Sequence, residues 1–370
     1  MRYYIIAGEA SGDLHASNLM RELRRKDPSA EFRCWGGDLM QQEGGVLVRH
    51  FRDLAFMGFA EVLMNIRTIL RNLKACREDI LSYSPDVLIL VDYPGFNLRI
   101  ARFAHENGIR VVYYISPQAW AWKESRVNVI KKVVDRMLVI LPFEVDFYRK
   151  HHYPVHFVGH PLLDAVERHR PEKDEDLGLS GDARPLIALL PGSRRQEILA
   201  KLPIMLSVVD RFPEYRFVIA GAPSLDHSVY EEVLKGRPVP VISGNTYGIL
   251  RKSHAALVTS GTATLETALF NVPQVVCYKA NPVSYSIAKR LVKIRFISLV
   301  NLIMDREIVR ELIQQDLDSL NLERELRKIL EGPDREKMLL EYVELRKALG
   351  GPGASAKAAD IIIDFLTESR

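Results

Sequence analysis

Cysteine is scarce: Cys34, Cys76 and Cys277 are the chain's three, far apart and in no CxxC pair. That excludes a disulfide framework and a cysteine zinc site, and the usage fits a reducing cytoplasm. Long hydrophobic runs are missing too, since no stretch approaches the ~18 consecutive apolar residues of a membrane-crossing helix. Met1 leads within one residue into a strand-like YYIIAG, without a basic n-region or cleavage site. The expectation is a protein neither exported nor threaded through a membrane. The G-x-G pattern occurs only as Gly351-Pro352-Gly353, in a helix break, and no G-x-x-x-x-G-K is present. The dinucleotide fingerprint and the P-loop are therefore both absent. Excess charge of one sign is small, with 51 Lys and Arg against 47 Asp and Glu for a formal +4. This gives no ground for a nucleic-acid partner, though it is compatible with docking on an anionic surface. Asp174-Glu175-Asp176 has a metal-like look but lies in a charged run that follows no apolar strand. His151, His152 and His156 lack the spacing of a ligand set, and no metal is expected.

What the chain does have is the make-up of a globular protein, 47% hydrophobic and 26% charged, and 370 residues suit two domains better than one. Short apolar runs at 3–7, 32–35, 87–91, 111–115 and 137–141 read as strands. Patterns near 14–25, 59–83, 97–107, 124–134 and 143–150 read as helices. The βαβ rhythm stops in a charged stretch and restarts with strands at 186–190, 216–220, 239–242, 255–259 and 274–278. We therefore expect two α/β domains, 1–168 and 185–345, joined by a linker at 169–184. The chain from 320 onward reads as helical, and 346–370 as a tail ending in an amphipathic helix near 355–367, able to pack on either domain.

Three strand ends carry the chemistry. In 255–278, an unalternated apolar strand runs into Ser260 and Gly261, and Thr262, Ala263 and Thr264 open a helix. Free backbone N–H groups at the carboxyl end of a parallel strand suit a diphosphate. Glu266 is one position too late for a capping box with Thr262, so its carboxylate either accepts from a ribose or merely favours the helix dipole. Pro191-Gly192-Ser193-Arg194-Arg195 repeats that layout with two arginines, of which Arg195 is also readable as plain surface charge. In GEASGD (8–13), the glycines Gly8 and Gly12 allow close approach of a ligand and the acids Glu9 and Asp13 could contact sugar hydroxyls; the competing reading is an N-cap by Ser11 or Asp13. Asp92 follows an apolar run and is placed for general-base work, against a structural cap.

Taken together, GEASGD, LAFMGFAEVLM (54–64), DYPGFN (92–97), YISPQAWAW (114–122), LPFE (141–144), FVGHP (157–161), LLPGSR (189–194), SGTATLE (260–266) and SLVNLI (298–303) run collinearly from about residue 3 to 315. The ordered set resembles the lipid-A-disaccharide synthase family. The resemblance implies two Rossmann-like domains facing a cleft, the GT-B glycosyltransferase type, with a helical C-terminal tail. It implies transfer from UDP-2,3-diacylglucosamine to the 6-hydroxyl of 2,3-diacylglucosamine 1-phosphate, with inversion, and no cofactor. By motif matching, Asp92 and Glu9 take catalytic roles. The substrate and UDP contacts fall on Gly8, Ser11, Gly192, Ser193, Arg194, Ser260, Gly261, Thr262, Ala263, Thr264, Glu266, Asn301 and Arg306. The chain departs from related sequences at Gly95, where a second aspartate is common, and at Ala10, where a threonine is. The resemblance also places the protein in the cytoplasm, peripheral on the inner face of a Gram-negative inner membrane, and leaves room for a homodimer.

A lipid substrate accounts for a surplus of apolar residues. Helical periodicity uses Phe59, Val62, Leu63 and Ile66 as core, and leaves Phe56, Met57 and Met64 over. We read Phe56, Met57, Phe59 and Met64 as an acyl-chain or bilayer contact, with Lys289, Arg290, Lys293 and Arg295 meeting phosphate headgroups. Ordinary core packing is the alternative for the first stretch. A UDP-N-acetylglucosamine 2-epimerase and a non-catalytic sugar-nucleotide binder are the competing functions; the first does not call for that apolar surface, and the second gives no reason to place Asp92 at a strand end.

Overall fold

The computed structural model describes residues 1–53, 66–122, 124–169, 181–281, 285 and 294–368. It divides into two compact units, one of residues 1–164 with 349–370 and one of 165–348.

The first unit is built on a seven-stranded sheet in the order β3-β2-β1-β4-β5-β6-β7, every pair parallel. Its strands are β1 (Arg2–Ala7), β2 (Glu31–Gly36), β3 (Val46–His50), β4 (Val87–Val91), β5 (Arg110–Tyr114), β6 (Arg136–Val139) and β7 (His156–Phe157). VLILV of β4 is buried at every position, as a central parallel strand covered on both faces must be. Tyr4, Ile6, Leu88, Leu90 and Tyr113 on one face pack with Ile80, Ile100 and Ile130 from the flanking helices. The second unit repeats the plan with six strands in the order β10-β9-β8-β11-β12-β13, again all parallel. These are β8 (Leu186–Leu190), β9 (Arg216–Gly221), β10 (Val241–Ser243), β11 (Ser253–Thr259), β12 (Gln274–Tyr278) and β13 (Arg310–Ile313). In each sheet the strand order reverses once, between β1 and β4 and between β8 and β11. The loops leaving those four strands are GEASGD, the turn at Asp92, the PGSR turn and the SGTAT turn. Open parallel sheets bind ligands at such reversals.

The expected strands are present, and three more, β3, β7 and β13, lie toward the sheet edges where no continuous apolar run marks them. The first helix begins at Ala10 rather than near 14, so most of GEASGD is helical first turn and not loop. The helix expected at 124–134 is present as Arg126–Val133, and a short helix not expected, Ala119–Trp122, precedes it. Pro94 at the start of Pro94–Glu106 sets that helix three residues earlier than expected. The last helix, Ala354–Thr367, belongs to the first unit. Asp164 accepts from the Gly353 and Ser355 amides at 2.5 and 3.0 Å, Lys26 pairs with Asp360, and the Arg136 guanidinium lies 4.4 Å from the Phe365 ring centroid.

Candidate functional site

In the first unit the site grows from the ends of β1 and β4. A Cβ on Gly8 would lie 2.4 Å from the Tyr93 ring, so this glycine lets that ring pack against the end of β1. Glu9 follows as the extended N-cap residue, its carbonyl accepting from Asp13 N–H at 2.9 Å, and Ser11 sits half-buried in the first turn. The Asp13 carboxylate is spent on structure, accepting the backbone N–H groups of Gly37, Leu39 and Met40 at 2.8, 3.1 and 3.2 Å. It thereby caps the short helix Asp38–Gln42.

Past Val91 the backbone is strained. Asp92, Tyr93 and, at the neighbouring end of β5, Ile115 have φ of 45°, 48° and 65°. Left-handed conformations cost a non-glycine residue on the order of 1–3 kcal/mol, and a β-branched residue such as Ile115 is the least tolerant. The Asp92 peptide is held there from several sides. Its carbonyl accepts from Tyr113 Oη at 2.6 Å and Asn97 Nδ2 at 2.8 Å, and its N–H donates to the Tyr114 carbonyl at 3.3 Å. Burial pushes the Asp92 carboxyl up to about 7; the negative charge of Glu9 adds to this, and the Tyr93 N–H and the Arg126 guanidinium oppose it. Glu9 and Asp92 thus share one field. Arg126, in the helix Arg126–Val133, is a third charged member that the sequence reading missed, because an arginine past an aromatic motif reads as helix surface. Glu144 of LPFE is structural: it accepts from the Leu141 and Ile140 amides at 3.0 and 3.3 Å.

In the second unit, Gly192 turns the chain with φ 127°, and Arg194 is the extended N-cap of the helix Arg195–Leu206. A Cβ on Gly192 would fall 2.3 Å from Glu197 Oε2. Glu197 also accepts from the Ser193 N–H at 3.3 Å and from Arg194 at 3.0 Å, so the turn's donors face a carboxylate of the chain itself. Arg195 pairs with Glu232 at 2.7 Å and is surface charge, the blander of its two readings. Beneath the turn, Lys201 is buried and donates to Thr259 Oγ1; burial pulls its ammonium below the usual lysine range. No sequence signal set it apart from a surface lysine.

Beyond β11, Ser260 Oγ donates to the Ile297 carbonyl at 2.7 Å, and Thr264, fully buried, donates back to the Gly261 carbonyl at 2.8 Å. These side chains shape the turn, which leaves Gly261, Thr262 and Ala263 as its exposed or half-buried members. Glu266 is not the free carboxylate expected: Tyr247 Oη donates to its Oε1 at 2.9 Å, and burial raises its pKa. Asn301 is wholly buried with its hydrogen-bonding capacity filled. Nδ2 donates to the Val309 carbonyl at 2.8 Å and to Glu311 at 2.9 Å, while Oδ1 accepts from the Ile308 and Val309 amides at 2.7 and 3.0 Å. Its side chain holds the turn before β13. Arg306, in the same turn, is ion-paired with Glu341. Phe56, Met57, Phe59, Met64, Lys289, Arg290 and Lys293 lie outside the described residues. Arg295 is described: it is exposed, 3.4 Å from Asp305.

With this geometry in hand, the chain can be set beside known proteins. Residues 3–363 match the family described as Lipid-A-disaccharide synthetase. The lipid-A-disaccharide synthase of Geobacter sulfurreducens is 39% identical over 374 residues, covering 99% of this chain and 97% of its own. That of Syntrophus aciditrophicus is 40% identical over 375 residues, covering 99% and 98%. Among solved structures, a putative UDP-N-acetylglucosamine 2-epimerase from Listeria monocytogenes superposes with a TM-score of 0.68 over 100% of this chain and 97% of its own, at 14% identity. A glycotransferase of kitacinnamycin gives 0.66 over 99% of each chain, at 16% identity. These last two share the fold: two parallel-sheet α/β domains of the GT-B kind.

Proposed function

The chain belongs to the lipid-A-disaccharide synthase family, and from that premise we propose that it joins UDP-2,3-diacylglucosamine to 2,3-diacylglucosamine 1-phosphate by inverting transfer. It is a glycosyltransferase of lipid A disaccharide synthesis. The acceptor's 6-hydroxyl attacks the donor's anomeric carbon as Asp92 takes its proton. The bond from that carbon to the diphosphate oxygen breaks, its electron pair leaves with UDP, and a β-1,6 disaccharide 1-phosphate remains. The observation that carries the assignment of the base is Asp92 itself, a carboxyl pushed to about 7 on a backbone held at positive φ. A base whose pKa lies near the working pH is the effective one. Glu9 raises that pKa and is the second carboxylate of the site.

The nucleotide is assigned to the second unit. The Gly192-Ser193 and Gly261-Thr262 turns offer backbone N–H groups at two helix N-termini, Arg194 offers a guanidinium, and Glu266 meets the ribose. The growing charge on the leaving diphosphate is met by amides and arginine, which makes the chemistry independent of a divalent ion. Among the described residues no helix is long and apolar enough to cross a membrane. We assign lipid contact to Phe56, Met57, Phe59 and Met64, with Lys289, Arg290 and Lys293 as basic partners, on the cytoplasmic face of the inner membrane.

One assay separates the readings. The protein is given UDP-diacylglucosamine with and without the acylated acceptor, and UDP and disaccharide are measured. Acceptor-dependent UDP release is the expected result. Turnover of UDP-N-acetylglucosamine without any acceptor would point to an epimerase, and binding without turnover to a sugar-nucleotide binder.

A further inference from the structure

The turn after β8 carries a charge that the proposed reaction does not use. Glu197, in the first turn of the helix Arg195–Leu206, reaches back over the loop. Its Oε2 accepts the Ser193 N–H at 3.3 Å, its Oε1 accepts from Arg194 at 3.0 Å, and Oε2 lies 3.9 Å from Nζ of Lys201. Oε2 is also the atom 2.3 Å from where a Gly192 Cβ would stand, so the carboxylate rests directly on the turn. Lys201 is 2% exposed and donates to Thr259 at the end of β11. A buried ammonium keeps its proton only beside an anion or good acceptors, and Glu197 supplies an anion. A backbone N–H, a guanidinium and a buried ammonium where the strand order reverses form a donor set suited to a diphosphate. In this structure a carboxylate takes it.

We propose that Glu197 is the displaceable counter-ion of the diphosphate site. With no donor bound it neutralises Arg194 and Lys201. When a diphosphate arrives, it swings off the Ser193 amide and off Arg194, and the ligand takes those partners. Lys201 remains below as the fixed cation that both anions share. The affinity for UDP is then a difference between two anions competing for one set of donors. A ligand lacking the diphosphate has nothing with which to displace the carboxylate. This rests on placing the diphosphate at the turn of residues 191–194.

The test is titration calorimetry on the full chain with UDP and with uridine, for the wild type, Glu197→Gln and Arg194→Ala. Glu197→Gln keeps the volume and an acceptor for the Ser193 amide but removes the charge. It should bind UDP about three- to tenfold more tightly at low salt, with the gain shrinking as salt rises and uridine binding unchanged. Arg194→Ala should bind UDP at least about tenfold more weakly. If Arg194→Ala binds UDP like the wild type, the diphosphate is not at this turn and the counter-ion role falls with that placement. If Arg194→Ala weakens UDP while Glu197→Gln leaves it unchanged or weaker, the placement stands and the proposal is overturned, Glu197 being a brace for the turn. Should Glu197→Gln fail to fold, a crystal structure of the wild type with UDP decides: a carboxylate off the Ser193 amide supports displacement, and one still on it refutes it.

Discussion

At the scale of single residues, Asp92 combines two liabilities, a raised carboxyl pKa and a left-handed backbone. Both lead to measurable consequences. Asp92→Asn removes the basic site, so kcat should fall by roughly 10²–10⁴ while UDP affinity stays at its wild-type value. A parallel fall in UDP binding would make Asp92 structural, and a fall under about tenfold would leave the base to another group, Glu9 first. In the wild type, kcat/KM should drop as pH falls through about 7, because the proton acceptor is then already protonated. Stability runs the other way. The carboxyl titrates near 7 when folded but near ~3.9 when unfolded, so folding takes up a proton between those values. The favourable contribution is full below the unfolded value and is lost as pH rises through about 7. Asparagine also accepts positive φ more readily than most residues. Asp92→Asn should therefore melt about a few degrees above the wild type at pH 8, with the gap closing toward pH 4. A variant that melts lower at pH 8 would contradict this. Asp92 was legible in the sequence because it ends an unbroken apolar strand. Arg126, Glu197 and Lys201 were not, since charged residues on helices ordinarily face water and only tertiary packing shows otherwise.

At the scale of elements, β4 and β8 coincide with apolar runs recognisable by eye, because central strands covered on both faces are apolar throughout. The RELI of β13 opens with two charged residues before its two apolar ones, β7 is two residues long, and β3 is half-exposed over most of its length. Toward an edge, where burial on both faces is not demanded, composition stops reporting the strand. The turn before β13 depends on one side chain in a way no motif could reveal. Asn301→Ala would remove the side-chain partner of the half-buried Ile308 amide, the buried Val309 amide and the Val309 carbonyl. Each unsatisfied group costs about 1–3 kcal/mol, so urea denaturation should show a loss of at least about 3 kcal/mol. Wild-type stability together with lost UDP binding would instead make Asn301 a direct ligand contact.

At the scale of the whole molecule, the proposed chemistry spends only protein groups on the diphosphate. Activity should survive EDTA at full rate; loss on chelation with recovery on adding magnesium would refute the metal-free mechanism. The lipid assignment is tested by Phe56→Ser with Met57→Ser, which should weaken sedimentation with anionic vesicles while the circular dichroism spectrum and melting temperature hold. Unfolding with vesicle binding unchanged would return the stretch to the core. The fold class and the two-unit rhythm could be read from periodicity, whereas the docking of the last helix could not, because an amphipathic helix names no partner. That docking has a consequence in time. Asp164 receives its hydrogen bond from an amide 189 residues further along the chain, and the whole second unit is translated in between. The first unit emerges from the ribosome early but cannot seat its last helix until the intervening body has been made. The second unit, contiguous in sequence, can fold as it emerges, whereas the first waits with the face of Ala10–Lys26 that receives the last helix uncovered. The unit that carries Asp92 is begun first and finished last, and a nascent-chain protease assay should find it protected only after residues near 360 have cleared the exit tunnel.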